Sequence, residues 1–591
     1  MKKLYFTGFC LCWLLLNSLV VSAQTTVKRV VLQGFWWDYY NNNYPFKWAD
    51  YLAELAPRLK ALGVDAVWIP PTPKNKNATN DVGYSPFDPY DLGDKYQKGA
   101  TRTRFGSKDE FLRMVAVLHA NGIEVIQDVV LNHTDGAGTA AGDGGQDPET
   151  TYSMQSNSGY KTFRYSSFGT PLPEAADNGA AYAQRKGRWP KNYLNFHPQP
   201  GHNTTSGDFA APYFGPDFCY GNDGGNDGYG GLSTNYLALF PNAYNPPQTT
   251  GYSQTQARSW AVWMKKQTGV DGLRWDAVKH FSYNAQQDIS YNLKYDAGWA
   301  NGGEKMFNVG EFVGSKSDVD GYVNAVKGQN GGSEFLMGTF DFNLRGAIYN
   351  MVSGGGSYDL SQVPAQQQDQ RVAYYPGSNT YVHRTAPFVN SHDTFRPQLD
   401  ASGNYIGWNT GDELAAHIDP FDVRLSAAYA IALAVDGNPH IYFEDLFNIG
   451  GTGKRFTHLP TSATDLPVRD DLVNLLWCHQ HLGFKEGAYK VPYQSADHLV
   501  IERSAKAIIG INDNLTTWQN ATVATDFAVG TQLIDYSGAS GTTVQTVFQG
   551  TNGAAYVAIS TPPCNGTAPL GRRGYSVWAP VGQGSSTYTP P

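Results

Sequence analysis

The chain has 591 residues, enough for more than one domain, with charged residues at 16% and aromatics at 14%. Its 44 Lys+Arg stand against 52 Asp+Glu, an acidic balance that excludes the basic surface nucleic-acid binding needs. The many Trp and Tyr suit stacking on sugars and equally suit a large core.

Lys2 and Lys3 precede an apolar run from Leu4 to Leu16, and Val21-Ser22-Ala23 follows as a small-residue site. This pattern predicts a signal peptide over 1–23, with cleavage between Ala23 and Gln24 and a secreted or periplasmic product. The run is short for a membrane anchor, and no later segment is long and apolar enough to span a bilayer. No membrane association is therefore expected after cleavage. Cys10 and Cys12 fall in the signal. Cys219, Cys478 and Cys564 remain, an odd number, so at least one is unpaired or otherwise occupied.

Helix-then-strand units follow. Leu52, Leu55, Leu59 and Leu62 share one helical face, Gly63 stops that helix, and Val64–Ile69 reads as a buried strand. Ser107 with Glu110 forms a capping-box pattern ahead of a helix carrying Leu112, Val115 and Leu118. Asn121-Gly122 ends it, and a strand runs on to Asp128. Ser253–Lys266 is a third helical stretch, followed at once by a strand into Asp276. Alternation of this kind implies a parallel sheet, open or closed.

Between Asn132 and about Thr250 the periodicity disappears into Gly, Asn, Asp, Pro and Tyr. That length predicts a small irregular inserted domain, which would gain from bound metal. After about Lys485, short runs such as Leu499-Val500-Ile501, Ala507–Ile511 and Tyr575–Trp578 predict an antiparallel domain. The expected division is a first barrel part at 24–133, an insertion at 134–249 and a second barrel part at 250–485. A C-terminal β domain at 486–583 and a polar tail at 584–591 complete it.

Four acids each follow a short apolar run: Asp128, Asp276, Glu311 and Asp393. Acids at the ends of buried strands are costly unless they serve a site. In a β/α barrel the carboxyl ends of the strands make one face, where such acids converge. Converging carboxylates are the equipment of glycosidic bond cleavage. Arg274 lies two residues before Asp276, on the same strand face, where it would keep Asp276 ionised. Glu311 has no charged neighbour in sequence, and apolar surroundings would raise its pKa.

Asp128–His133, Gly272–His280, Gly310-Glu311-Phe312 and Phe388–Asp393 together resemble the four motifs of the α-amylase family, glycoside hydrolase family 13. Four in order are far more specific than any one. The resemblance implies a (β/α)8 barrel with an inserted calcium-binding domain and a C-terminal antiparallel β-sandwich. It implies Asp276 as nucleophile, Glu311 as general acid/base and Asp393 as a stabiliser of the distorted sugar. Asp128 reads instead as a support of the barrel mouth. Tyr84, His133, Arg274, Lys279 and His392 are implied to bind substrate. Ordinary packing competes for Tyr84, and a solvated charge for Lys279.

The same resemblance gives Asn132 and the His280 carbonyl as calcium ligands, with Asp217, and more weakly Asp208 and the Gly207 carbonyl, from the insertion. The stretch from Asn192 through Cys219 is similar to archaeal-type α-amylases, in which two His and one Cys bind zinc; the overall motif set is also close to liquefying enzymes. Carried over, His197, His202 and Cys219 would be the zinc ligands. Thr205 stands where that pattern has an acidic ligand, and the stretch from His202 to Asp217 is longer. A buried Cys with two surface His is the alternative. The expectation is a secreted, monomeric, calcium-dependent endo-acting α-amylase on starch and related α-1,4-glucans. A maltooligosaccharide-forming amylase or a transglycosylase is the alternative within the family, and a non-catalytic glucan-binding protein is the alternative outside it.

Overall fold

The computed structural model describes residues 29–96, 98–134, 189, 218, 220, 252–296, 307–326, 336–371, 373–374, 381–382, 385–394, 397–401, 405–408, 418–447, 458–565 and 573–584. The expected signal peptide and nearly all of the expected insertion lie outside these residues.

Seven short strands form one sheet: β1 (Val31–Gln33), β2 (Ala66–Ile69), β3 (Glu124–Val129), β4 (Gly272–Trp275), β5 (Phe307–Gly310), β6 (Gly338–Thr339) and β7 (His440–Tyr442). Their order is β7-β1-β2-β3-β4-β5-β6, and every neighbouring pair is parallel. Residues 385–388 close the gap between β6 and β7. Ala386 bridges Phe340 and Phe388 bridges His440, both in parallel sense. The Ala386 N–H donates to the Thr339 carbonyl at 2.9 Å, and the His440 N–H to the Pro387 carbonyl at 2.9 Å. The ring is therefore closed: the parallel sheet expected from the alternating pattern, left open or closed there, is the barrel that the resemblance implied. The strands are buried throughout or nearly so, polar residues such as Gln33, Asp128 and Arg274 included.

Eight helices follow the staves: α1 (Trp48–Ala61), α2 (Lys108–Ala120), α3 (Tyr252–Thr268), α4 (Tyr283–Asp296), α5 (Lys316–Ala325), α6 (Phe342–Ser353), α7 (Leu425–Ala434) and α8 (Asp470–His481). Leu52, Leu55 and Leu59 are buried on α1, as their spacing requires. Ser107 caps α2 with both halves of the capping box in place. Every residue of α7 is buried, because it packs on the barrel and also touches two strands of the C-terminal unit.

That unit has strands β8 (Tyr489–Gln494), β9 (His498–Arg503), β10 (Ala507–Asn512), β11 (Gln519–Ala524), β12 (Gln532–Asp535), β13 (Val544–Thr546), β14 (Phe548–Gln549), β15 (Ala555–Thr561) and β16 (Tyr575–Pro580). They form an antiparallel sheet β8-β9-β10-β16-β12-β13 and a second one, β11-β15-β14. Val500, Ile508, Val523, Leu533, Val557, Ile559 and Trp578 fill the space between the two. Each such side chain contributes roughly 1.5–3 kcal/mol on burial. Polar ties fix the unit to the barrel. Arg503 donates to Asp436 at 2.9 Å, and the Tyr575 hydroxyl donates to Asn474 Oδ1 at 2.8 Å. Cys478 and Cys564 are both buried free thiols. Among the described residues no helix is long and apolar enough to cross a membrane.

Candidate active site

Strand register brings the acids together. Arg274 pairs with Asp128 on β3 and with Val309 on β5, so Trp275 pairs with Val129 and with Gly310. Asp276 and Glu311 are the next residues after a paired Trp275 and Gly310, at one height on adjacent strands. Their backbones confirm it: the Asp276 N–H donates to the Val129 carbonyl at 3.0 Å, and the Glu311 N–H to the Trp275 carbonyl at 2.9 Å. Neighbouring strands run about 4.8 Å apart, so the two carboxyls face the same space. Gly310 permits this closeness, since a Cβ there would come within 3.0 Å of Val278 and 3.2 Å of the Tyr322 hydroxyl.

One guanidinium serves three carboxylates. Arg274 Nη1 donates to Asp276 Oδ1 at 2.7 Å and to Asp128 Oδ1 at 3.0 Å, while Nη2 donates to Glu311 Oε2 at 2.7 Å. The sequence suggested a cation serving Asp276 alone, with Glu311 in apolar surroundings. The flat fork of Arg instead reaches across two strands. Its charge is held over the rings of Trp68 and Tyr84.

A single cation cannot neutralise four acids. Burial raises Asp276 to about 6, against the lowering pull of Arg274. Burial also raises Glu311 and raises Asp393 well above the usual carboxylate range. The two acids Asp276 and Glu311 lie side by side and share the Arg274 guanidinium, so the charge of each opposes ionisation of the other. The Ala277 N–H also points at Glu311 Oε2 at 3.3 Å. That donor depends on a left-handed Ala277, with φ 49°.

Exposure separates Asp128 from the rest. Its side chain is fully buried, whereas those of Asp276, Glu311 and Asp393 keep 13%, 11% and 15% of theirs open. Asp128 Oδ2 accepts from Trp68 Nε1 at 3.1 Å and from the Tyr84 hydroxyl at 2.7 Å. Its capacity is spent on protein groups, in keeping with a supporting role.

The other expected residues gather around these acids. Tyr84 stands on a loop kept tight by Gly83, whose φ of +137° and 2.6 Å approach to the Pro71 carbonyl exclude a side chain. Its ring stacks on His392, with centroids 5.2 Å apart and planes at 10°. His392 Nε2 lies 3.1 Å from Asp393 Oδ2. Burial, with Arg274 nearby, lowers the His392 pKa well below its usual value, so the ring is neutral. His133 is buried, with Nε2 2.8 Å from the Tyr84 carbonyl. Lys279 is exposed; its Nζ donates to the Val313 carbonyl at 3.2 Å, just beyond Glu311.

Of the expected metal ligands, Asn132 is fully buried after β3, and its carbonyl accepts from the Phe218 N–H at 2.7 Å. His280 ends a short 3-10 turn after β4. Tyr220 links the two neighbourhoods: its hydroxyl donates to the Leu131 carbonyl, and its ring lies 5.6 Å from Phe281. Gly207, Asp208, Asp217, His197, His202 and Cys219 lie outside the described residues. Among the described residues no group of three or more His, Cys, Asp or Glu could hold a metal ion.

Sequence reasoning missed Gln33, Phe35 and Trp37. Gln33 ends β1 and bonds His392; Phe35 and Trp37 lie 5.1 and 5.4 Å from the same ring. The rule that found the acids, a polar residue closing a buried strand, also applies to Gln33.

The fold and site are those of a closed eight-stave α/β barrel with a carboxylate cluster at its carboxyl end, and comparison with known proteins adds to this. Residues 53–153 match the family model described as α-amylase, catalytic domain. An α-amylase from Geobacillus stearothermophilus is 27% identical over 405 residues, covering 67% of this chain and 63% of that protein. A glucan 1,4-α-maltohexaosidase from a Bacillus species is 27% identical over 396 residues, covering 67% and 66%. The match thus spans just under two thirds of each relative's own length. The solved α-amylase of Geobacillus thermoleovorans, complexed with acarbose, superposes with a TM-score of 0.55 at 16% identity, covering 93% of this chain and 97% of that one. By these matches the chain is similar to the α-amylase family.

Proposed function

We propose that the protein is an α-amylase that hydrolyses α-1,4-glucosidic bonds of starch-like glucans with retention of anomeric configuration. The observation that carries this reading is that Asp276 and Glu311 follow paired residues on adjacent strands and accept from one guanidinium, that of Arg274, each at 2.7 Å. Inverting enzymes hold their carboxyls about 6.5–9.5 Å apart to seat a water, and retaining ones about 5–5.5 Å apart. Two carboxyls on neighbouring strands held by one guanidinium fit the second kind.

In this reading Asp276, ionised beside Arg274, attacks the anomeric carbon and forms a glycosyl ester. Glu311 gives its proton to the departing glycosidic oxygen, then takes one from the water that cleaves the ester. Asp393 and the neutral His392 bind the sugar hydroxyls of the ring under attack. Tyr84 and His133 line the same subsite, and Lys279 lies on the leaving-group side. Arg274 remains charged throughout, holding both carboxyls in line. Proton NMR during hydrolysis of a maltooligosaccharide tests this: the α-anomer of the new reducing end should accumulate before mutarotation, and initial β-anomer would overturn it.

A maltooligosaccharide-forming specificity is the second reading, favoured by the similarity to the maltohexaosidase. The product ladder from soluble starch distinguishes the two, since one dominant oligosaccharide would support this second reading.

We also infer a calcium site held by Asn132 and the His280 carbonyl, with Asp217, Asp208 and the Gly207 carbonyl completing it. The oxygen donors suit calcium, which would brace the insertion against the barrel. Zinc at His197, His202 and Cys219 is a separate proposal. Elemental analysis of purified protein tests both: about one calcium per chain is expected, and zinc near zero would remove the second metal. Export completes the reading: the mature protein should begin at Gln24 and act as a monomer on α-glucan, which N-terminal sequencing and light scattering would check.

A further inference from the structure

We propose that Gln33 is a positioning residue for His392: its side-chain amide donates to Nδ1 and thereby fixes the imidazole with its proton on Nε2, facing Asp393. The inference rests on the proposed function only for the consequence to catalysis, not for the tautomer itself.

Gln33 closes β1 and is paired in register with Trp68 on one side and Tyr442 on the other. It is buried, and its Nε2 lies 2.7 Å from His392 Nδ1, across 359 residues of chain. An amide nitrogen has hydrogens and no available lone pair, so it can only donate. Nδ1 must then accept, and a neutral ring must carry its single proton on Nε2. That nitrogen is 3.1 Å from Asp393 Oδ2. The tautomer set by Gln33 is thus the one that offers an N–H to a carboxylate or to a sugar oxygen. The opposite tautomer would turn a lone pair toward the acid.

Rotation of the ring does not offer an escape. Tyr84 stacks against one face, and Phe35, Trp37 and Trp68 lie 5.1, 5.4 and 5.6 Å away. The ring is fixed in place by aromatics, and its polarity is fixed by one amide.

Gln33 is poorly explained by stability alone. Its Oε1 is buried with no hydrogen-bond partner among the described residues. A buried amide that satisfies only its donor side is less favourable than an apolar side chain of the same shape. The residue is retained at the cost of an unmet acceptor, and the one contact its amide makes is to the site.

The test uses the whole enzyme labelled with 15N-histidine, without substrate. Long-range 1H–15N spectra identify the His392 ring by comparison with His392→Gln. At pH 7 the unsubstituted enzyme should show a protonated Nε2 and an unprotonated Nδ1. A proton on Nδ1 would overturn the proposal, and this reading needs no variant to fold. Gln33→Met should then give mixed tautomers, a kcat on maltoheptaose lower by about tenfold, the loss of one oriented hydrogen bond, and a Tm no lower than before. Unchanged tautomer and kcat in that variant would also overturn it. Gln33→Glu, which only accepts, should leave His392 protonated on both nitrogens to higher pH; a ring still protonated on Nε2 alone would count against the proposal. If the tautomer is as stated but the enzyme cleaves no α-glucan, the proposed function fails while the positioning role stands.

Discussion

Arg274 Nη1 and Asp276 Oδ1 lie 2.7 Å apart, two residues along one strand, yet the acid is raised rather than lowered. Burial outweighs the cation because the same guanidinium is divided among Asp128, Asp276 and Glu311. The site therefore holds its nucleophile candidate near the edge of protonation.

Arg274→Lys tests the division. Lysine supplies one point charge on a flexible stem and cannot reach three carboxylates in a fork. We expect kcat to fall by about 10²–10³, the scale of losing one preorganised electrostatic contact. A loss below tenfold would mean that geometry at this position matters little.

The pH dependence follows with a definite sign. Asp276 must be ionised to attack, so kcat/KM should fall below about pH 6, where it gains a proton. Stability moves the other way. A carboxyl raised in the fold stabilises fully below its unfolded pKa of 3.8, and that contribution is lost as pH rises through about 6. Asp276→Asn should thus gain stability relative to the parent between pH 4 and 7, measured by denaturant unfolding. A constant difference across that range would contradict the raised value.

Asp128 and Glu311 should respond differently. Glu311→Gln removes the proton donor, and kcat on maltoheptaose should drop by about 10²–10⁴. Asp128→Asn removes a fully buried support, which loosens Tyr84 and Arg274 without touching the reacting atoms. Its loss in kcat should be smaller, with a clear fall in Tm. Equal losses in kcat with unchanged Tm would assign Asp128 a chemical role.

Much of this was legible in the chain because cost makes a signal. An acid closing an apolar run stands out, and Asp276, Glu311 and Asp393 were all found that way. Gln33 obeys the same rule but carries no charge, so it drew no notice. The barrel's weaker staves were harder still. β6 is only Gly338–Thr339, and residues 385–388 pair through two isolated bridges; both are too short to read as strands, and ring closure rather than propensity defines them. In the C-terminal unit, β9, β10 and β16 were read because they are buried along most or all of their length. β8 and β11 are largely exposed and polar, so they gave no such signal.

Asp471 offers a stability test away from the chemistry. It starts α8 region pairing with Arg469 at 2.9 Å and with Arg573 of the C-terminal unit at 3.0 Å. Although burial works against ionisation, Arg469 and Arg573 with Ser426 lower its pKa to about 2. The contribution is present above the unfolded pKa of 3.8 and is lost as pH falls through about 2. Asp471→Asn should destabilise the protein by about 1.5–3 kcal/mol at pH 7, because the part-buried guanidinium groups of Arg469 and Arg573 lose charge-assisted bonds to a buried carboxylate. A change under 1 kcal/mol would show that this junction is not needed to hold the C-terminal unit to the barrel.

The most direct test of the account is to trap the glycosyl ester. Enzyme treated with a 5-fluoro-α-glucosyl fluoride, which slows hydrolysis of the ester, can be digested and mapped by mass spectrometry. The account predicts a single adduct on the peptide containing Asp276, abolished in Asp276→Asn. An adduct on Glu311 or Asp393 instead, or turnover with inversion and no adduct, would contradict it.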